Sequence, residues 1–181
     1  MHCWKTINIK LEYGTTRLTL WSFIIFVIVF SFSYIIFGYL DPLQYSDNYF
    51  WLFFICSILL YPIHKLIHYF GLFQYRRNVQ LKVKVDFQFI PIIRMRIKTM
   101  IPKKHYIFVL LLPFILINSI LIYVAYSLPA YTHYCSILLA YHCSICLMDI
   151  LYVKNLLRAP RNSMIEETPK GYEILVPPNI E

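Results

Sequence analysis

Hydrophobic positions in this chain fall into four long runs, at Leu18–Leu40, Tyr49–Phe73, Tyr106–Tyr126 and Tyr131–Val153. Each has the ~20 residues that a helix needs to cross ~30 Å of hydrocarbon. Between the second and third runs the pattern changes. Val79, Leu81, Val83, Val85, Phe87 and Phe89 alternate with Gln80, Lys82, Lys84, Asp86 and Gln88. Period two predicts a strand with one apolar face. After Pro91 the alternation resumes through Ile93, Arg94, Met95, Arg96, Ile97 and Lys98, which completes a hairpin near the membrane surface. In the tail, Met164–Glu167 and Tyr172–Val176 flank a Pro169-Lys170-Gly171 turn signal. They predict a second small hairpin, a candidate to join the first in one sheet.

The placement of Lys and Arg orients the runs. The N-terminal segment carries Lys5, Lys10 and Arg17, and the first connection, Asp41–Asn48, carries none. The second connection carries nine: Arg76, Arg77, Lys82, Lys84, Arg94, Arg96, Lys98, Lys103 and Lys104. The third, near Leu128–Ala130, again carries none, and the tail has Lys154, Arg158, Arg161 and Lys170. By the positive-inside rule this alternation places both ends in the cytoplasm. The expected fold is an α-helical membrane protein. It has four transmembrane helices and a small cytoplasmic β-hairpin element, in a single polytopic membrane domain over residues 1–181. Residues 74–105 form its cytoplasmic loop and 154–181 its cytoplasmic tail.

Composition agrees with this. Hydrophobic residues make up 59% of the 181-residue chain and charged residues 14%. Soluble domains run near 45–50% and 25%. The net charge of +8 would suit nucleic acid, but the charges flank apolar runs, and no zinc-finger spacing or glycine-rich phosphate loop accompanies them. The expected partners are therefore the lipid bilayer and a membrane protein or peptide, not nucleic acid. The basic loop suits anionic lipid. Five cysteines, four of them inside apolar runs, do not form a disulfide framework. Cys143 and Cys146 read as small packing residues on an apolar helix.

Ionisable residues inside a membrane are costly and mark candidate sites. The four runs hold two formal charges, Lys65 and Asp149, and His64 and His68 bracket the lysine. Residues four apart share a helix face, a spacing that lets two imidazoles hold one metal ion. His64 and His68 lie 15 and 19 residues beyond Tyr49, and Asp149 lies 18 beyond Tyr131. At ~1.5 Å per residue all three share one depth near the cytoplasmic interface. Two histidines and a carboxylate make a three-ligand zinc set. Cys135, His142, Cys146 and Asp149 follow one helical stripe, which should face the bundle. Pro62 frees the carbonyl of Ile58 just before the histidine pair.

His64-Lys65-Leu66-Ile67-His68, the basic strand-rich loop, the helix with Pro113, Met148-Asp149-Ile150 and Leu156-Leu157-Arg158-Ala159-Pro160 occur in that order. In this the chain resembles a bacterial membrane family described as putative zincin peptidases, distantly similar to site-2-type intramembrane metalloproteases. The resemblance covers most of the chain. It implies zinc as cofactor, His64, His68 and Asp149 as its ligands, and residence in a bacterial cell membrane. The chain departs from the pattern at one position. Such peptidases carry Glu after the first histidine as general base, and here Lys65 stands there. An ammonium cannot accept a proton, and loss of a general base typically costs ~10²–10⁴-fold in rate.

Other uses of these residues stay open at this level. The histidines suit a helix end at the headgroups, Lys65 suits snorkelling to the interface, and Asp149 suits pairing with Lys154, Arg158 or Lys65. The leading expectation is a catalytically impaired pseudo-metallopeptidase that binds or regulates. The alternatives are an active membrane zinc metallopeptidase with a different base and a small transporter or channel subunit.

Overall fold

A computed structural model describes residues 2–40, 45–73, 75, 79–85, 91–97, 100–168 and 171–177. Strand β1 (His2–Ile7) and a short helix α1 (Ile9–Tyr13) lead into helix α2 (Thr15–Leu40). Helix α3 (Phe50–Gly71) follows, then strands β2 (Val79–Val85), β3 (Pro91–Ile97) and β4 (Ile101–Pro102). Helices α4 (Lys103–Ser127) and α5 (Thr132–Leu157) precede strands β5 (Met164–Thr168) and β6 (Gly171–Val176).

Helices α2, α3, α4 and α5 are each long and apolar enough to cross a membrane. They match the four apolar runs and mostly extend them by a few residues. Helix α5 packs against α2, α4 and α3 and is the centre of the bundle. Its composition reflects this: 56% of its membrane-length stretch is buried inside the protein, against 6% for α2. A helix that buries most of its surface against protein can carry polar side chains there, because neighbouring helices supply partners. The outer helices instead present Phe, Ile and Leu on their exposed faces, a surface compatible with lipid.

Both hairpins form. Strands β2 and β3 pair antiparallel from Val79↔Ile97 to Val85↔Pro91, while Phe87, Phe89 and Lys98 lie outside the described residues. Strands β5 and β6 also pair antiparallel. The two hairpins do not share a sheet, contrary to the sequence expectation. A four-stranded sheet runs β1-β6-β5-β4, and β2–β3 is a separate two-stranded sheet. One edge of β6 is taken by β1, and the outer edge of β5 by Ile101 and Pro102 at the foot of α4.

This sheet closes one end of the bundle. Ile7, Ile9, Ile101, Ile165, Tyr172 and Ile174 are buried with Tyr106 and Val109 of α4 and Leu151 and Leu156 of α5. The Tyr172 hydroxyl donates to the Tyr152 carbonyl at 3.2 Å, and burial pushes its ionisation well above the usual tyrosine range, so it remains a donor. At the opposite end the two remaining connections meet, with the Ser46 N–H bonded to the Ala130 carbonyl at 3.1 Å. Strands β1 and β6 pair, so the two strands lie at the same end of the bundle.

Candidate metal centre

The lower third of α3 places His64 and His68 one turn apart on the face turned to α4 and α5. Both are buried, at 0% and 6% exposure, and so is Asp149 of α5 at 6%. The Nε2 atom of His64 lies 3.0 Å from Asp149 Oδ2, and that of His68 lies 3.3 Å from the same oxygen. The two Nε2 atoms are 3.1 Å apart. Three ligand-type atoms from two helices thus form a near-equilateral triangle. Lys154 and Arg158, which the sequence offers as partners for Asp149, are exposed, and Asp149 Oδ2 faces the two histidine nitrogens instead.

Hydrogen bonds on the far sides of the rings decide what the triangle can do. His68 Nδ1 lies 2.9 Å from the Val109 carbonyl oxygen, which can only accept. Nδ1 therefore carries the proton, and the Nε2 of a neutral ring is a lone pair. Gly71 lets Val109 approach closely: a Cβ there would lie 3.1 Å from Val109 Cγ2, so a larger residue would press on α4. His105 bridges the same helices by donating from Nε2 to the Gly71 carbonyl at 3.1 Å.

With the His64 proton on Nδ1, as in His68, all three atoms of the triangle would be acceptors, a set that a cation could fill. A single proton can bridge only one edge and leaves the others lone pair against lone pair. One metal ion satisfies all three at once. Ligand atoms ~2.0–2.1 Å from a tetrahedral zinc stand roughly 3.3 Å apart, close to the separations here. Two imidazoles and a carboxylate are a donor set that suits zinc, and a carbonyl on the outer nitrogen is the usual means of fixing such a ligand's tautomer.

A family profile described as "Putative zincin peptidase" matches residues 57–164, more than half of the chain. The chain belongs to this family. The match spans His64, Lys65, His68 and Asp149, so the zincin-family region holds the whole triangle and the departure at Lys65 together. No curated protein and no solved structure matches the chain.

Beside the triangle lies a cavity of about 140 Å³, lined in part by Lys65, His68, Tyr106, Asp149, Tyr152 and Glu167. Lys65 is half-buried and its ammonium sits 5.9 Å from the Tyr61 ring centroid. Glu167 reaches the cavity from β5 and accepts a hydrogen bond from the Tyr106 hydroxyl at 2.8 Å.

The stripe on α5 faces inward, with Cys135, His142 and Cys146 buried. Cys146 Sγ lies 3.5 Å from His142 Nε2, which gives this cysteine a polar neighbour as well as its packing role. His64, His142 and Cys146 form a second group with metal-ligating atoms close together. Asn118 of α4, which the sequence reading passed over, bonds to His142. It carries no charge to make it conspicuous, yet an amide midway along an apolar helix is itself a signal of a polar contact between helices. Glu167 carries no sequence signal of its own, because it lies on a short strand before the tail turn and meets Tyr106 of α4 only through the fold.

Proposed function

We propose that this zincin-family protein is a membrane protein that holds zinc at His64, His68 and Asp149 and binds or regulates a peptide or membrane-protein partner without cleaving it. The observation that carries this reading is the convergence of His64 Nε2, His68 Nε2 and Asp149 Oδ2 within 3.3 Å. When bound there, zinc supplies a Lewis acid. Lys65 supports the absence of cleavage, because the position beside the first ligand offers an ammonium where a general base would need a carboxylate. The cavity gives a ligand access to this end of the bundle. Its basic flanking segments favour the cytoplasmic face of the membrane.

One observation favours a second reading, an active metallopeptidase with a relocated base. Glu167 brings a carboxylate into the same cavity from outside the family-matched region. Assay of purified wild type against unstructured and transmembrane peptides in zinc-containing buffer separates the two. The non-cleaving reading expects no hydrolysis above the His64→Ala background. Hydrolysis by wild type, lost in both His64→Ala and Glu167→Gln, would establish the relocated base instead.

A further inference from the structure

Two polar side chains outside the triangle, His142 of α5 and Asn118 of α4, form a chain of hydrogen bonds that ends on His64. Asn118 Nδ2 is directed at Cys143 Sγ, 3.5 Å away, which turns the amide oxygen toward His142. Asn118 Oδ1 lies 2.7 Å from His142 Nδ1. Since the oxygen can only accept, the proton sits on His142 Nδ1 and His142 Nε2 is a lone pair. That lone pair lies 3.1 Å from His64 Nδ1. His64 Nδ1 must then be the donor, and its own lone pair is left on Nε2, directed at Asp149 and His68.

We propose that Asn118 and His142 are positioning residues that set the tautomer and ring orientation of His64 for metal binding. The inference rests on the zinc reading above and adds to it Asn118 from a third helix, α4, and His142 from α5, which already supplies Asp149. It treats the two metal ligands of α3 alike. His68 is held by a backbone carbonyl of α4, and His64 is held by a side-chain relay that begins on the same helix. The relay has a physical rationale. His64 is fully buried away from solvent, so an imidazole whose outer nitrogen found no acceptor would rotate or change tautomer. His142 is equally buried and passes the requirement on to an amide, which has both a donor and an acceptor to offer. The relay also accounts for the second cluster of ligating atoms without a second ion. His64 Nδ1 and His142 Nε2 share a proton there, and the Cys146 thiol packs beside them.

The test uses the full-length protein in detergent micelles, with histidine labelled by ¹⁵N, and zinc affinity measured by chelator competition. In metal-free wild type, His64 and His142 should both show protonated Nδ1 and unprotonated Nε2. His142→Leu should weaken zinc binding by ~10–100-fold, the usual effect of removing a partner that orients a ligand. His142→Gln, which can accept from His64 Nδ1 through its side-chain carbonyl, should remain within a few-fold of wild type. Retained helix content and a single size-exclusion peak establish that each variant is folded. The wild-type spectrum decides the matter even where His142→Leu does not fold. Protonated Nε2 on His64 in the metal-free protein would overturn the relay, as would unchanged zinc affinity in folded His142→Leu. Loss of one of two bound zinc ions in that variant would overturn it too, by making His142 a ligand. Wild type that holds no zinc while showing the expected tautomers would refute the metal reading itself, and with it the purpose of the relay.

Discussion

His64 Nε2 and His68 Nε2 stand 3.1 Å apart, one helical turn from each other on α3, and both face Asp149 on α5. Two buried imidazoles brought this close to one carboxylate form a group of ligating atoms that could hold a metal ion. The bundle is arranged to enforce that closeness, since Gly71 admits Val109 against α3 and the Val109 carbonyl then orients His68.

Lys65 lines the same cavity as two of the three ligands, so its charge acts against a bound dication. Lys65→Glu replaces repulsion with attraction and should tighten zinc by about tenfold or more, given roughly 1–3 kcal/mol per charge at such separations and an effective dielectric near 20. Competition titration with a chromophoric chelator measures it. Unchanged binding in the variant would indicate that Lys65 points away from the ion.

Positive segments alternate with neutral ones along the chain, and the sheet holds β1 and β6 together. Reporter fusions at Lys84 and Pro177 should therefore read cytoplasmic, and fusions at Asp47 and Pro129 should read external. An external signal at Lys84 would invert the orientation and place the cavity on the other face.

Gly171 opens β6 directly against β1. A Cβ at this position would meet the Ile7 carbonyl oxygen at 2.0 Å, a distance that no rotamer change can relieve because the obstacle is backbone. Gly171→Ala should push β1 off the sheet and lower stability by about 1–3 kcal/mol, the usual range for an overpacked site. Limited proteolysis near the N-terminus, combined with thermal unfolding, should register the loss. An unaltered digestion pattern would mean that β1 contributes little.

The parts of this fold that could be read from sequence are those with a local period. Four runs of lipid-compatible residues marked four helices, and strict alternation in Val79–Val85 marked a hairpin strand. His64, His68 and Asp149 emerged together because a charge in an apolar run is conspicuous and helical rise converts sequence position into depth. The strand His2–Ile7 left no such mark. It is short, five of its six residues are exposed, and its partner β6 lies at the far end of the chain. The separation of the two hairpins into different sheets is not legible in the sequence for a related reason: which strand takes an open edge depends on contacts across the whole bundle. Asn118 is an instance of the same limit, since its value comes from what α5 places opposite it.

Zinc content per chain tests the central claim most directly. Wild type and His64→Ala, purified side by side in detergent after zinc exposure and removal of loose metal, are compared by elemental analysis. The account predicts about one zinc per wild-type chain, as a single three-ligand site requires, and almost none in folded His64→Ala. No zinc in either protein, or equal zinc in both, would contradict it.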